Sequence, residues 1–131
     1  MKIMLVITSL KTGGAERLVT ALADRFSEAG HDVFLICFHG KMELYPHDKR
    51  VKLVNLQMRR TPLGVLTTMW RFRKLILEFR PNVINTHLVH ANILTRLLRI
   101  FTTIPRLISS AHNTNEEGSG RMVAYRLTDR F

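Results

Sequence analysis

Short, continuously apolar segments alternate along the chain with longer segments of helical period, and this alternation constrains the fold more than any other feature. Five such segments recur, at Ile3 to Thr8, Val33 to Phe38, Val51 to Leu56, Val83 to Thr86 and Leu107 to Ser109. The first two are hydrophobic at successive positions, which is typical of strands covered on both faces. Because helices separate most of these strands, the pattern predicts an α/β fold. We expect a doubly wound parallel sheet with right-handed crossovers and helices on both faces.

The first predicted helix runs from about Ala15 to Ala29 and stops at Gly30, which acts as a left-handed cap. Its spacing predicts two faces. The core face carries Leu18, Leu22, Phe26 and Ala29, and the solvent face carries Arg17, Asp24, Arg25 and Glu28.

Two further helices are predicted, with a loop ahead of them between His39 and Arg50. One begins near Pro62, a residue favoured in a first turn, and ends before Pro81. Its buried stripe is Val65, Met69, Phe72, Ile76 and Phe79. The other runs from about His90 to Phe101, buries Ile93, Leu94, Leu97 and Leu98, and exposes Arg96 and Arg99.

Size, charge and cysteine content limit the class of protein. A chain of 131 residues with 46% hydrophobic content predicts one domain with one core. The formal net charge of +10 favours anionic ligands such as phosphates, nucleotides or acidic lipid. Cys37 is the only cysteine and lies in an apolar run, so it predicts a buried structural thiol and a reducing compartment. No apolar stretch is long enough to cross a bilayer, which argues against an integral membrane protein.

The segment "SLKTGGAERL" places Gly13 and Gly14 between the first strand and the first helix. Glycine lets a ligand approach the main chain closely, and the first amides of a helix attract anions. A phosphate site and a plain tight turn are both consistent with this spacing. The segment lacks the G-x-G-x-x-G fingerprint and the P-loop lysine, so NAD is disfavoured and no cofactor is expected.

Polar residues also follow the fourth and fifth strands. His87 and His90 come after the fourth strand, and His112 and Asn113 come after the fifth. In a sheet of order 3-2-1-4-5 these strand ends border one cleft, where histidine can bind a sugar hydroxyl or offset phosphate charge. A capping or structural role remains open for each residue. No third ligand has a recognisable metal spacing, so no metal site is predicted.

The second helix carries an apolar line beside its buried stripe. The line is Leu63, Trp70 and Leu77, flanked by Arg73 and Lys74 with Arg71 further round. Such a surface can rest on acidic lipid headgroups. Alternatively, Trp70 packs against a neighbouring helix and the cations are only solvated. Nucleic acid is not an expected partner, since no recognised binding module is present.

Four segments resemble successive units of the GT-B glycosyltransferases of family 4. They are "GGAERLVTALADRFSEAGHDVFLI", "PNVINTHLVHANILTRLL", "PRLISSAHNTNE" and "AYRLTDRF". The resemblance implies a Rossmann-like N-terminal domain that forms the acceptor side of a cleft between two domains. It implies transfer from a nucleotide-sugar donor with retention of configuration, without a metal and without an established covalent nucleophile. Stabilising the charge of the departing diphosphate is then the main contribution of the protein.

The resemblance also implies roles for particular residues. The loop at Gly13, Gly14 and Ala15 lies near the donor diphosphate. His112 lies near the reacting sugar, where it orients groups or stabilises charge. The acceptor side includes His87, His90 and Asn113.

Family members carry a second domain that holds most of the nucleotide sugar, and residues 1–131 contain nothing that matches it. We therefore expect an N-terminal domain that ends before its last strand and is inactive by itself. The full-length protein would be a hexosyltransferase of cell-surface polysaccharide synthesis. Its acceptor would be a glycan or lipid-linked, and it would work in the cytoplasm, peripherally at the inner face of the membrane. The competing hypotheses are a non-catalytic module that binds anions or a membrane surface, and an oxidoreductase that binds NAD.

Overall fold

Five parallel strands form one sheet in the computed structural model, which describes residues 1–10, 13–100, 102–104 and 106–110. The strands are β1 (Lys2–Ile7), β2 (Asp32–Cys37), β3 (Lys52–Asn55), β4 (Val83–His87) and β5 (Leu107–Ser110). The helices are α1 (Gly14–Glu28), α2 (Pro62–Phe79) and α3 (Val89–Leu98). The strand order is β3-β2-β1-β4-β5 with every pairing parallel, so the predicted fold class is confirmed, and this is the order in which the first, fourth and fifth strand ends are neighbours.

Helices cover both faces of the sheet because alternate residues of each strand point to opposite sides. On one face, Ile3, Leu5 and Ile7 of β1 pack in a cluster with Val19 and Ala23 of α1. On the other face lies a second cluster, whose members include Met4, Val6, Phe72 and Ile76 from β1 and α2, and Ala91 and Leu98 from α3. β1 is the centre of the domain, because it supplies residues to both clusters. Burial of each large aliphatic side chain contributes about 1.5–3 kcal/mol.

The C-terminal end of α1 is a glycine cap, as predicted. Gly30 has a φ of +92°, in the left-handed region that glycine adopts without strain. Its N–H donates to the carbonyl of Ser27 at 3.0 Å, and the N–H of His31 donates to the carbonyl of Phe26 at 3.1 Å. These two bonds are the Schellman arrangement, which turns the chain directly into β2.

The predicted faces of α1 are confirmed at Leu22 and Phe26, which pack half-buried against the core, and are wrong at Leu18, Ala29 and Asp24. Val19, Thr20, Ala23, Asp24 and Ser27 are the buried residues, whereas Leu18 is 44% exposed. Asp24 had been expected on the solvent side, but its carboxylate accepts the backbone N–H of His47 at 3.0 Å and of Asp48 at 2.8 Å. The carboxylate therefore faces the loop that precedes β3, and burial of its charge is compensated by two hydrogen bonds.

The loop between β2 and β3 has no helix or strand, in agreement with the prediction. Besides its contacts with Asp24, it contains an ion pair in which Arg50 lies 2.8 Å from the Asp48 carboxylate. Hydrogen bonds from Arg50 hold the pKa of Asp48 well below its ordinary value of 3.8. The loop is thus held by two carboxylates, that of Asp24 on α1 and that of Asp48 within the loop itself.

The second helix has the predicted bounds. Thr61 caps it by accepting the N–H of Gly64 at 3.0 Å, Pro62 is its first residue, and Arg80 ends it with a φ of 52°. A side chain at Gly64 would lie 2.7 Å from the carbonyl oxygen of Arg59, so the preceding loop packs closely on this turn.

Candidate functional site

The carboxyl ends of the five strands meet at one edge of the sheet. The register pairs Ile7 of β1 with Cys37 of β2 and with His87 of β4, and His87 with Ser110 of β5. The loop that contains Gly13 and the segment that follows His87 therefore leave adjacent strands at the same edge. In an open parallel sheet this edge is where ligands collect.

The glycine loop leads from β1 into α1, and neither glycine has a left-handed backbone. Gly13 is the N-cap residue with a φ of −169°, which is extended backbone open to any residue. Gly14 is the first residue of α1, and a Cβ atom placed on it would meet no atom of the described residues within 4 Å. The fold itself therefore does not require glycine at position 14. The bare main chain faces open space, in which a ligand can approach it.

The N-terminus of α1 has two further features that bear on anion binding. No side chain of the described part of the chain caps it by a hydrogen bond, so the dipole of the helix acts on whatever lies in front of it. Glu16 lies in the first turn, and its carboxylate occupies the space into which a Cβ atom of residue 13 would project. A side chain at position 13 would therefore collide with this carboxylate. An acidic group thus already lies at the helix end where a diphosphate is predicted.

His87 ends β4 and is 1% exposed, so its ring is inside the domain and not on the wall of an open cleft. Leu88, which follows, has φ 71° and ψ 158°, a region that is essentially restricted to glycine and costs about 1–3 kcal/mol. Backbone strain of this kind clusters at functional sites. The contact of His87 with an acceptor stays a prediction and requires its cover to move.

The start of α3 is held by a side chain from β1. Its N-cap residue makes no side-chain capping bond, and the buried hydroxyl of Thr8 instead accepts the N–H of Ala91 at 3.1 Å. Thr8 follows the last residue of β1, so the segment ahead of the glycine loop and the segment after His87 are joined directly.

A polar network behind this edge was not anticipated. The Ser109 hydroxyl oxygen lies 3.2 Å from the Thr86 hydroxyl and 3.3 Å from Nε of Arg96, which donates to it. Arg96 had been expected to be exposed, but it is half-buried because β5 supplies this partner.

Three predicted site residues cannot be placed by their side chains. His112 and Asn113 lie outside the described residues, as does the predicted helical segment 122–131. His90 is described only as a residue of the α3 backbone. Their proposed contacts with the sugar and the acceptor stay predictions.

Cys37 is buried, as predicted for a structural thiol. Its Sγ donates to the carbonyl of His39 at 3.3 Å, and burial raises the pKa of the thiol above its ordinary value. A thiol held in the protonated form is a poor nucleophile.

Among the described residues, no group of three or more His, Cys, Asp or Glu side chains is arranged to hold a metal ion. None of the described helices has the length and apolarity needed to cross a bilayer.

Comparison with known proteins finds a glycosyltransferase among the curated relatives. A protein of Campylobacter jejuni subsp. jejuni serotype O:2 is 30% identical over 119 residues, which are 86% of this chain and 33% of the relative. It is the GalNAc-alpha-(1->4)-GalNAc-alpha-(1->3)-diNAcBac-PP-undecaprenol alpha-1,4-N-acetyl-D-galactosaminyltransferase.

Two solved structures share the fold. The lipopolysaccharide outer core galactosyltransferase WaaB, in its apo form, matches with a TM-score of 0.70 and 16% identity over 92% of this chain and 36% of its own. MurG from Acinetobacter baumannii matches with a TM-score of 0.68 and 14% identity over 99% of this chain and 39% of its own. The chain spans about a third of the length of these relatives.

The family resemblance noted in the sequence is confirmed over residues 12–131. The sequence profile described as Glycosyltransferase Family 4 matches residues 12–131, which include all three helices and four of the five strands. The chain therefore belongs to Glycosyltransferase Family 4.

Proposed function

We propose that residues 1–131 form the N-terminal, acceptor-side domain of a retaining glycosyltransferase that moves a sugar from a nucleotide-sugar donor to a glycan or lipid-linked acceptor. Family membership supports the reaction class and disfavours a non-catalytic binding module. The name of the Campylobacter relative, which gives a PP-undecaprenol glycan, supports a lipid-linked acceptor. Synthesis of cell-surface polysaccharide at the cytoplasmic face of a membrane follows from such an acceptor.

The observation that carries this proposal is the open space in front of Gly14. A glycine that the fold does not require, at the start of a helix that no side chain caps, is suited to close approach by an anion. The chemistry of sugar transfer produces such an anion, because the diphosphate of the donor departs with its negative charge. Main-chain N–H groups of Gly14 and Ala15, already oriented by the helix, would stabilise that charge as it develops.

Glu16 has a defined part in this scheme. Its carboxylate lies at Gly13 and repels a diphosphate at the same place, so the side chain must turn aside when the donor enters. Gly13 leaves room for either position of that side chain. Most of the donor would be held by residues of the whole protein beyond this domain.

The acceptor would approach from the ends of β4 and β5. His87, His90 and Asn113 are proposed to contact it, and His112 to orient the reacting sugar or offset charge near it. The strain at Leu88 supports this assignment, since it lies between His87 and the first turn of α3.

Sugar transfer in the complete protein tests the proposal. Transfer from a panel of nucleotide sugars to lipid-linked acceptors would be measured for the wild type, for Gly14→Val and for Ala21→Val, an exposed control on the same helix. We expect Gly14→Val to abolish transfer with an unchanged melting temperature, and Ala21→Val to leave both unchanged. His112→Ala is expected to lower kcat with folding intact. Equal losses of stability and transfer in Gly14→Val would favour the tight-turn interpretation.

A further inference from the structure

An apolar stripe runs along the outer side of α2, and nothing in the described residues covers it. Leu63 is 75% exposed, Leu66 67%, Trp70 68% and Leu77 50%. Among the described residues, Trp70 therefore does not pack against a neighbouring helix, contrary to the alternative interpretation. From Leu63 to Leu77 the stripe is about 20 Å long, at 1.5 Å per residue. Singly exposed apolar residues are ordinary, but a row of them on one helix face indicates an interaction surface.

Positive charge surrounds this stripe. Arg59 and Arg60 precede α2, while Arg71 and Lys74 lie on the helix, and all four are exposed. The one acidic residue of α2 is Glu78, whose carboxylate lies 4.0 Å from Lys74 and pairs with it only loosely. The charge selects an anionic partner and disfavours a second copy of this strongly basic chain.

A polar cavity adjoins the stripe at the N-terminal end of α2. It has a volume of about 380 Å³ and contains Arg59, Thr67 and Arg71 among its lining residues, while Leu63 belongs to both the cavity and the stripe. Arg71 donates to the carbonyl of Leu56 at 2.9 Å, which holds its guanidinium at the cavity wall. Guanidinium and hydroxyl groups next to exposed leucines match a molecule with a phosphate at one end and hydrocarbon at the other.

We infer that this face of α2 docks on the surface of a bilayer rich in anionic phospholipid. Leu63, Leu66 and Trp70 enter the headgroup region, and the cavity with Arg59 and Arg71 takes a lipid phosphate. The helix lies in the plane of the interface, as amphipathic helices with basic flanks do.

The position of the surface has a consequence that rests on the proposed function. The cavity begins at the end of β3, at the same sheet edge as the glycine loop, and β3 lies two strands from β1, about 10 Å away. Docking by α2 would thus bring the membrane beside the acceptor side of the cleft. A lipid-linked acceptor could then reach the site without leaving the bilayer.

Trp70 is the only tryptophan of the chain, so its fluorescence reports this surface alone. Vesicles of phosphatidylcholine, and of equal parts phosphatidylcholine and phosphatidylglycerol, would be added to the chain, with emission and sedimentation recorded together. We expect a blue shift and pelleting with the anionic vesicles only, and both should weaken with added salt. Brominated acyl chains should quench the emission.

Paired variants distinguish binding by this face of α2 from nonspecific adsorption of the chain to vesicles. Leu63→Ser with Leu66→Ser is expected to reduce partitioning at least tenfold, and Arg59→Gln with Lys74→Gln to reduce it similarly, since each cation near an anionic surface contributes roughly fivefold. All four side chains are exposed, so the core is unaltered. The controls are Leu18→Ser and Arg25→Gln on α1, which covers the opposite face of the sheet, and they should bind as the wild type does.

Three outcomes would overturn the inference. They are no blue shift with anionic vesicles, equal losses in the α1 controls, and a blue shift that appears on concentrating the chain without vesicles, which would make a second copy the occupant. Because no sugar donor takes part in the measurement, its failure leaves the proposed transferase activity untouched.

Discussion

Replacing Gly14 by alanine should move stability and anion binding in opposite directions. Glycine in a helix interior is roughly 1 kcal/mol less favourable than alanine, and Gly→Ala at a compatible position stabilises by about 0.4–1 kcal/mol. Position 14 is the first residue of α1, with no left-handed φ and no atom within 4 Å of a new Cβ. Only part of the helix-propensity difference between glycine and alanine applies at the end of a helix. We therefore expect Gly14→Ala to raise the free energy of unfolding by about 0.5 kcal/mol. For a domain of this size that raises Tm by about 2 °C.

The same methyl group should weaken anion binding. It would stand beside main-chain donors that hold an oxygen at about 2.9 Å, and so push a diphosphate outward. Urea unfolding followed by circular dichroism measures the first effect, and titration with inorganic pyrophosphate, read from the amide resonances of residues 13–16, measures the second. Ala21→Gly is the reference variant for the effect of glycine on α1. At this exposed interior position, glycine should lower the free energy of unfolding by about 1 kcal/mol.

A destabilisation of 1 kcal/mol or more in Gly14→Ala would show that the turn itself needs glycine. Unchanged binding of pyrophosphate in a stabilised variant would contradict the proposed role of the open main chain. The stability measurement and the binding measurement are independent of each other.

Three further predictions concern carboxylates. Asp24→Ala should lower the free energy of unfolding by about 2 kcal/mol, because it removes the acceptor of two backbone N–H groups, and Asp24→Asn should cost about half as much in the same urea titration. The pKa of Asp48 is lowered in the folded state, so the contribution of Asp48 to stability is complete above its ordinary pKa of 3.8 and is lost as the pH falls below that value. Asp48→Asn should therefore flatten the dependence of the free energy of unfolding on pH between about pH 2 and pH 5. An unaltered slope in the variant would contradict this prediction. Glu16→Gln should strengthen the binding of pyrophosphate several-fold by removing the negative charge at Gly13, at a cost of about 0.5 kcal/mol in helix stability, and weaker binding would mean that Glu16 helps to hold the ligand.

The site is less predictable than the fold because its side chains depend on distant partners. The sequence places Gly13, Gly14 and His87 at strand ends, and the sheet order puts those ends at one edge. It does not predict that His87 is covered, because burial depends on how the whole domain packs. Glu16 is different: it stands at N3, three residues after the N-cap Gly13, a spacing at which a glutamate reaches back towards the N-cap.

The faces of α1 and α3 illustrate the same limit. Helical period predicts that a stripe is buried, but adjacent positions differ by only a fraction of a turn, and the tilt of the helix on the sheet selects between them. Asp24 is buried because residues 47 and 48 return to it, and Arg96 because β5 lies beside α3. Neither partner is near in sequence.

The parallel α/β architecture, the end of α1 at Gly30 and the start of α2 at Pro62 can be read from the sequence, because apolar period, glycine and proline act through local backbone geometry. The folded structure is needed to show that Trp70 is exposed, that Asp24 is buried and that Gly14 faces open space. These depend on which surfaces the other elements cover, and burial is a property of the whole folded domain, not of any one segment.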